Sequence, residues 1–129
     1  MTFVLKLLCG IWAVLMLLIG GRWWLAFDGI AADWAVQPMS ALGVNNLIAD
    51  MGGLFLGGSI MILLGLRSGQ SVWLLAAALL NAIAASGRLL GFAAFEVVPE
   101  ALISVSLEIL ASVLLIYTHK RMTAEESNS

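Results

Sequence analysis

Residues 46–66 read NLIADMGGLFLGGSIMILLGL, an apolar run that carries a single carboxylate, Asp50. A helix needs about 20 mostly apolar residues to cross a bilayer, and this run has that length. Similar runs cover residues 3–20, 71–95 and 101–117. Because four such runs and their connections use up the 129 residues, the sequence predicts an all-α transmembrane four-helix bundle without a soluble domain.

The composition supports a lipid environment. Hydrophobic residues make up 62% of the chain and the mean hydropathy is +1.05. Charged residues reach 11%, whereas a soluble domain carries roughly 25%. The net charge of −2 gives no electrostatic argument for a nucleic-acid partner. The single cysteine, Cys9, excludes an internal disulfide.

We predict one domain over residues 1–121, followed by a polar, disordered tail over residues 122–129. A secretory signal peptide is the alternative interpretation of the first apolar run. That run is long for a signal peptide and lacks a clean small-x-small cleavage site, which favours an uncleaved helix.

The longest connection, residues 21–46, is rich in aromatic residues. Amphipathic rings settle at headgroup depth, which is where we expect Trp23, Trp24, Phe27 and Trp34. Asp28 is placed to cap a short helix that Pro38 would stop. We therefore expect this connection to lie on the membrane surface or to fold over the bundle.

The basic residues predict the orientation. With the N-terminus inside, only Arg22 falls in an outer connection. The cytoplasmic side then receives four basic residues, namely Lys6, Arg67, Lys120 and Arg121. Cytoplasmic loops carry an excess of Lys and Arg, so we expect both termini in the cytoplasm.

Besides Lys6 near the start of the first span, three charged residues lie inside the predicted spans. In this orientation Asp50, Arg88 and Glu108 all fall in the outer half of the bilayer, each about one or two turns from the outer surface. Charge at the centre of a membrane helix costs about 2.5–3.5 kcal/mol even on the gentlest scales. We therefore expect the three side chains to meet.

Helical spacing assigns faces to these residues. Residues three and four apart share a helix face, so polar or small residues at such spacing predict the side that faces the bundle interior. Three stripes result: Asn46, Asp50, Gly53 and Gly57; Asn81, Ala84, Ala85 and Arg88; and Ser104, Glu108 and Ser112.

The predicted cluster has two interpretations. The Arg88 guanidinium stays charged, so one carboxylate would neutralise it and the other would be protonated or hydrated. Burial favours the protonated acid whereas the cation favours the carboxylate, which makes a proton acceptor plausible. Alternatively the network only pins the helices together, since interhelical hydrogen bonds in membranes average about 0.6 kcal/mol. The sequence leaves both open.

Small residues predict close helix packing. The glycines assigned to helix contacts are Gly52, Gly53, Gly57, Gly87 and Gly91. Neither of the two glycine-containing stretches, residues 52–58 and 87–91, follows a strand or precedes a Lys-Ser/Thr pair. A phosphate-binding loop is therefore not predicted. His119 has no Cys or carboxylate neighbours, so no metal site is predicted.

The stretches NLIADMGGLFLGG and ASGRLLG, followed by a helix bearing Glu108, resemble a family of small bacterial four-helix membrane proteins catalogued as a domain of unknown function. The resemblance covers nearly the whole chain. It implies a fold but no activity. The positions it carries over are Asp50, Gly52, Gly53, Gly87, Arg88 and Glu108.

Four functions are compatible with these features. The first is an accessory protein that binds a lipid, a quinone or a small amphiphile below the Trp-rich connection. The second is a proton-coupled transporter subunit, although the inner halves of the spans are almost wholly apolar. The third is a structural subunit of a homo-oligomer or a larger membrane complex. An enzyme is the least supported, since no catalytic motif or cofactor fingerprint is visible. Membrane lipids are expected partners in every case, and no cofactor is predicted.

Overall fold

The structure is a computed structural model that describes residues 2–128, all of them in helices or short connections. Met1 and Ser129, which belong to the predicted domain and tail, lie outside these residues. The helices are α1 (Thr2–Leu25), α2 (Phe27–Asp33), α3 (Ala41–Ser68), α4 (Val72–Ala94) and α5 (Pro99–Ser127). α1, α3, α4 and α5 are long and apolar enough to cross a membrane. The predicted fold class is confirmed.

The four long helices form a ring in which α1 contacts α3, α3 contacts α4, α4 contacts α5 and α5 contacts α1. Buried side chains bond across three of these contacts: Ser59 Oγ to the Ala13 carbonyl at 2.8 Å, Ser112 Oγ to the Ala78 carbonyl at 3.3 Å, and Cys9 Sγ to Thr118 Oγ1 at 3.3 Å. Each of these donors is satisfied without water, as a lipid environment requires.

The first and last helical turns among the described residues lie at the same end of the bundle, where the Thr2 hydroxyl donates to the Glu125 carboxylate. α5 continues to Ser127, so the prediction of a disordered tail over 122–129 is wrong for the described residues. The physical reason is length. The 29 residues of α5 extend about 43 Å, further than a hydrocarbon core of about 30 Å, and the polar end continues the helix beyond it.

Glycines let α1 and α3 approach closely. A Cβ at Gly20 would lie 2.9 Å from the backbone nitrogen of Leu56 and 2.8 Å from its Cγ. A Cβ at Gly52 would lie 2.3 Å from the Trp24 indole, which donates its Nε1–H to the Ile48 carbonyl at 3.1 Å. Gly52 therefore packs as the sequence predicts, whereas Gly20 was not singled out.

The other predicted packing glycines contact no helix within the described residues. A Cβ at Gly53, Gly57, Gly87 or Gly91 would have nothing within 4 Å beyond its own local backbone. The buried face of α3 instead carries Gly52, Gly58, Ser59, Ile62 and Gly65. In the sequence, the glycine pairs 52–53 and 57–58 would allow either of two faces of α3 to pack against a helix. In the structure Gly52 and Gly58 face inward, and Gly53 and Gly57 do not.

The connection between α1 and α3 folds over the bundle, one of the two arrangements expected for it. α2 begins at Phe27 after Ala26, with no side-chain cap, so Asp28 lies in the first turn and does not cap the helix. α2 ends at Asp33, before Pro38. Arg22 pairs with Asp33 at 2.7 Å, which ties α2 to the end of α1.

Aromatic rings hold α2 and the residue after it against the bundle. Trp23 is fully buried and its ring centroid lies 5.7 Å from that of Trp34, edge to face. Trp34 in turn meets Phe55 of α3 at 5.6 Å. Trp23 therefore packs inside the protein and Trp34 is half-buried against it, whereas Trp24 is 57% exposed.

We predict that Gly20→Ala lowers the free energy of unfolding by about 1–3 kcal/mol, because the added methyl group meets the backbone of α3. Gly21→Ala is the matched control, since a Cβ there has nothing within 4 Å. Thermal unfolding in detergent micelles measures both. Equal destabilisation by the two variants would contradict the close crossing at Gly20.

Candidate functional site

The site is organised by an ion pair between α4 and α5. Arg88 Nε lies 3.0 Å from both Glu108 Oε1 and Oε2. α4 and α5 are antiparallel neighbours joined by a short connection, which brings the last turns of one beside the first turns of the other. The side chains are 30% and 12% exposed in the protein alone, so the pair is largely removed from the surface.

The pair leaves much of the guanidinium available. Glu108 takes only the Nε–H of Arg88, and the two terminal nitrogens make no hydrogen bond within residues 2–128. A guanidinium carries five N–H donors, so four remain for another acceptor. An arginine that serves only to hold two helices together would normally donate two parallel N–H groups to the carboxylate. The geometry therefore leaves donor capacity for a further group.

Arg88 and Glu108 line a cavity of about 120 Å³ between the helices. Its walls are mainly apolar and include Trp12, Met16, Leu54, Phe55, Leu80 and Leu107. Leu54 and Leu107 are exposed as well as lining it, so the cavity is half-open to the surroundings of the bundle.

The cavity adjoins a wider hollow of about 560 Å³ at the end of the bundle where the α4–α5 connection lies. Trp34, Arg88 and Ser104 line both spaces. The hollow also takes in Asp33 and Glu100, so its lining includes two carboxylates. The side chain of Arg88 therefore borders both spaces.

Asn81 supplies a second polar group in the cavity wall. Its side chain is 4% exposed, and Nδ2 donates to the Ala77 carbonyl at 2.9 Å. Because only the amide nitrogen can donate to that carbonyl, the orientation of the amide is fixed. The Asn81 side-chain carbonyl accepts no hydrogen bond from residues 2–128. Asn81 and Arg88 stand two turns apart on α4, a rise of about 10 Å.

The two predicted serines differ in role. Ser104 lines the cavity and donates to the Glu100 carbonyl of its own helix at 3.2 Å. Ser112 donates to the Glu108 carbonyl at 2.8 Å and reaches the Ala78 carbonyl of α4. Ser112 therefore stabilises the α4–α5 contact one helical turn beyond Glu108 on α5.

The structure does not bring Asp50 to Arg88, which corrects the expectation of a three-residue cluster. Asp50 and Asn46 are exposed, and neither is hydrogen-bonded to another side chain within residues 2–128. The cause is the rotation of α3, whose buried face passes through Gly52. Residues two apart on a helix lie on nearly opposite sides, so Asp50 points away from the site.

Sequence reasoning missed the aromatic lining of the cavity. Trp12 and Trp34 line it, together with Phe55. The indole N–H groups of Trp12 and Trp23 are buried without a hydrogen-bond partner in the described part of the chain. In the sequence Trp12 lies one helical turn before Met16, and this spacing was the available signal that both face the bundle interior.

A second polar contact lies at the opposite end of the bundle. His119 Nδ1 lies 3.0 Å from Ser71 Oγ, and Ser71 Oγ lies 3.2 Å from Thr123 Oγ1. These bonds tie the α3–α4 turn to α5. The sequence did not predict these bonds.

No protein-family model matches the chain, and neither a curated protein nor a solved structure matches it.

We predict that Glu108→Gln lowers the free energy of unfolding by about 3 kcal/mol, because it leaves the Arg88 charge without a counter-ion. The double variant Arg88→Met/Glu108→Leu recovers most of that loss, since neither charge remains. Unfolding in mixed micelles, followed by tryptophan fluorescence, measures both.

Glu96→Gln is the matched control, because Glu96 is exposed in the α4–α5 connection. It should leave stability unchanged. A double variant that is no more stable than Glu108→Gln would show that the two side chains do not act as a pair.

Proposed function

We propose that this protein is an accessory protein of a bacterial inner membrane that binds a small amphiphile, such as a lipid or a quinone, without catalysing a reaction. The observation that carries the proposal is the position of Arg88. Its terminal nitrogens make no hydrogen bond within residues 2–128. The side chain lines both the wider hollow, which takes in Asp33 and Glu100, and the mainly apolar cavity. An amphiphile needs this combination of a polar contact and an apolar wall.

The proposed location follows from the sequence resemblance and from the basic residues. The first and last described helical turns lie at one end of the bundle, which is compatible with both termini being cytoplasmic. The cavity then lies in the outer half of the bilayer, and the wider hollow faces the outer surface. A ligand would enter from the outer leaflet, below α2.

A purely structural ion pair does not account for the cavity. A pin needs only the contact between Arg88 and Glu108, whereas the structure also leaves a half-open recess beside this pair. Here the aromatic rings of Trp34 and Phe55 leave the space open beside Arg88. The open space supports a ligand more than it supports a pin.

A proton-coupled transporter subunit receives no comparable support. The part of the bundle nearer the termini is filled by buried apolar side chains, among them Ala13, Ile62 and Leu74. The cavity therefore has no continuation toward that end along the described residues.

We predict that a small amphiphile remains bound when the protein is purified in mild detergent, and that native mass spectrometry detects it. Ala84 lines the cavity, so Ala84→Leu should fill the space and remove most of the bound mass. Ala93→Leu is the matched control, because Ala93 is exposed on the same helix. Retention of the same ligand by Ala84→Leu would refute the proposed site.

The second candidate is a structural subunit, and the open glycines favour it. Gly53 and Gly57 of α3 and Gly87 and Gly91 of α4 leave room for another helix. We predict that Gly57→Leu dissociates any homo-oligomer or larger complex seen in mild detergent, while Gly21→Leu does not. An assembly of unchanged mass in Gly57→Leu would exclude this face as the contact.

A further inference from the structure

We infer that the head group held in the cavity is a neutral six-membered ring carrying oxygen substituents, as in a quinone, and not a phosphate. This inference rests on the proposed function and narrows it to one ligand class. It depends on the volume of the cavity, on its walls and on the charge already present beside it.

The volume fits one ring. The cavity measures about 120 Å³. An apolar cavity of about 150 Å³ in another protein holds benzene. A six-membered ring therefore matches the space in size, and because the cavity is half-open its substituents can extend out of it.

The walls suit a flat ring. Trp12, Trp34 and Phe55 contribute three aromatic side chains to the lining. Aromatic groups prefer offset or edge-to-face contact with one another, as Trp34 and Phe55 already show with their planes at 90°. A planar ligand can extend this arrangement.

The charge balance disfavours a phosphate. Both carboxylate oxygens of Glu108 already lie against Arg88, so the pair is neutral as a unit. A phosphate would add a negative charge beside Glu108 in apolar surroundings, where uncompensated charge is costly. A carbonyl or hydroxyl oxygen avoids this cost, because it accepts from the remaining guanidinium N–H groups without adding charge.

Asn81 can form a hydrogen bond with the edge of the ring that lies opposite Arg88. Its side-chain carbonyl accepts no hydrogen bond from residues 2–128 and can accept from a hydroxyl, and its second amide hydrogen can donate to a carbonyl. Arg88 stands on the same helix about 10 Å further along the axis, and long helical side chains lean back toward the N-terminus, here toward Asn81. A ring with oxygen atoms at opposite positions matches this pair.

The test measures binding of radiolabelled decyl-1,4-benzoquinone to the protein in phosphatidylcholine nanodiscs, with empty nanodiscs subtracting the fraction dissolved in lipid. Unlabelled decyl phosphate and decylbenzene are the competitors. Decylbenzene has the ring without the oxygens, and decyl phosphate has the charge without the ring. We expect the quinone to bind at least about tenfold more tightly than either competitor, in keeping with one or two net hydrogen bonds.

Variants locate the binding. Asn81→Leu should weaken quinone binding about fivefold to tenfold through the loss of one polar contact. Ala84→Leu should abolish it, and Ala93→Leu should leave it unchanged. Unfolding temperatures in the same nanodiscs identify any variant that fails to fold, and the selectivity of the wild-type protein tests the inference without any variant.

The outcomes separate the two proposals. Decyl phosphate that displaces the quinone at equal or lower concentration would overturn the ring inference and leave amphiphile binding intact. Equal displacement by decylbenzene would show that the oxygens are not recognised, and would also overturn the inference. Absence of binding by all three probes, together with absence of a co-purifying amphiphile, would overturn both proposals.

Discussion

The arrangement of the site depends on the low dielectric constant around Arg88. An isolated guanidinium among apolar helices is costly, and the structure offsets that cost with Glu108 on the neighbouring helix. This constraint sets the axial position of α5 against α4. With that position fixed, Asn81 and Ser104 line the same space, and Ser112 bonds to the Ala78 carbonyl of α4. The cavity is thus a consequence of where the charges must meet.

The second constraint is the approach of α3 to α1. Gly20 brings the backbones together at Leu56, and Gly52 accommodates the indole of Trp24. This close crossing fixes the rotation of α3 and presents Phe55 to Trp34. The aromatic lining of the cavity from Trp12 and Phe55 therefore belongs to the pair α1–α3. The ion pair of Arg88 and Glu108 belongs to the pair α4–α5. The space between them is where these pairs face one another.

Much of the architecture is predictable from the sequence because hydropathy alone marks four long helices. The Arg88–Glu108 contact is also accessible, since two charges of opposite sign on adjacent antiparallel helices have few alternative partners. The position of Asp50 is not accessible in this way. Paired glycines make two faces of α3 equally smooth, and the choice between them depends on Trp24 and Met16, whose contacts with Gly52 and Gly58 cross between helices. The inward packing of Trp34 likewise depends on Trp23 and Phe55 and not on its own neighbours in sequence.

The short separation of Arg88 and Glu108 along the chain, 20 residues, has a consequence for biogenesis. Both members of the pair belong to one helical hairpin, so they can find each other as soon as the last two spans have left the ribosome. The hairpin then enters the lipid with no net charge at that depth, and the insertion machinery never has to release a solitary cation into acyl chains. Assembly with the first two spans can follow later, through apolar packing and the bond from Cys9 to Thr118.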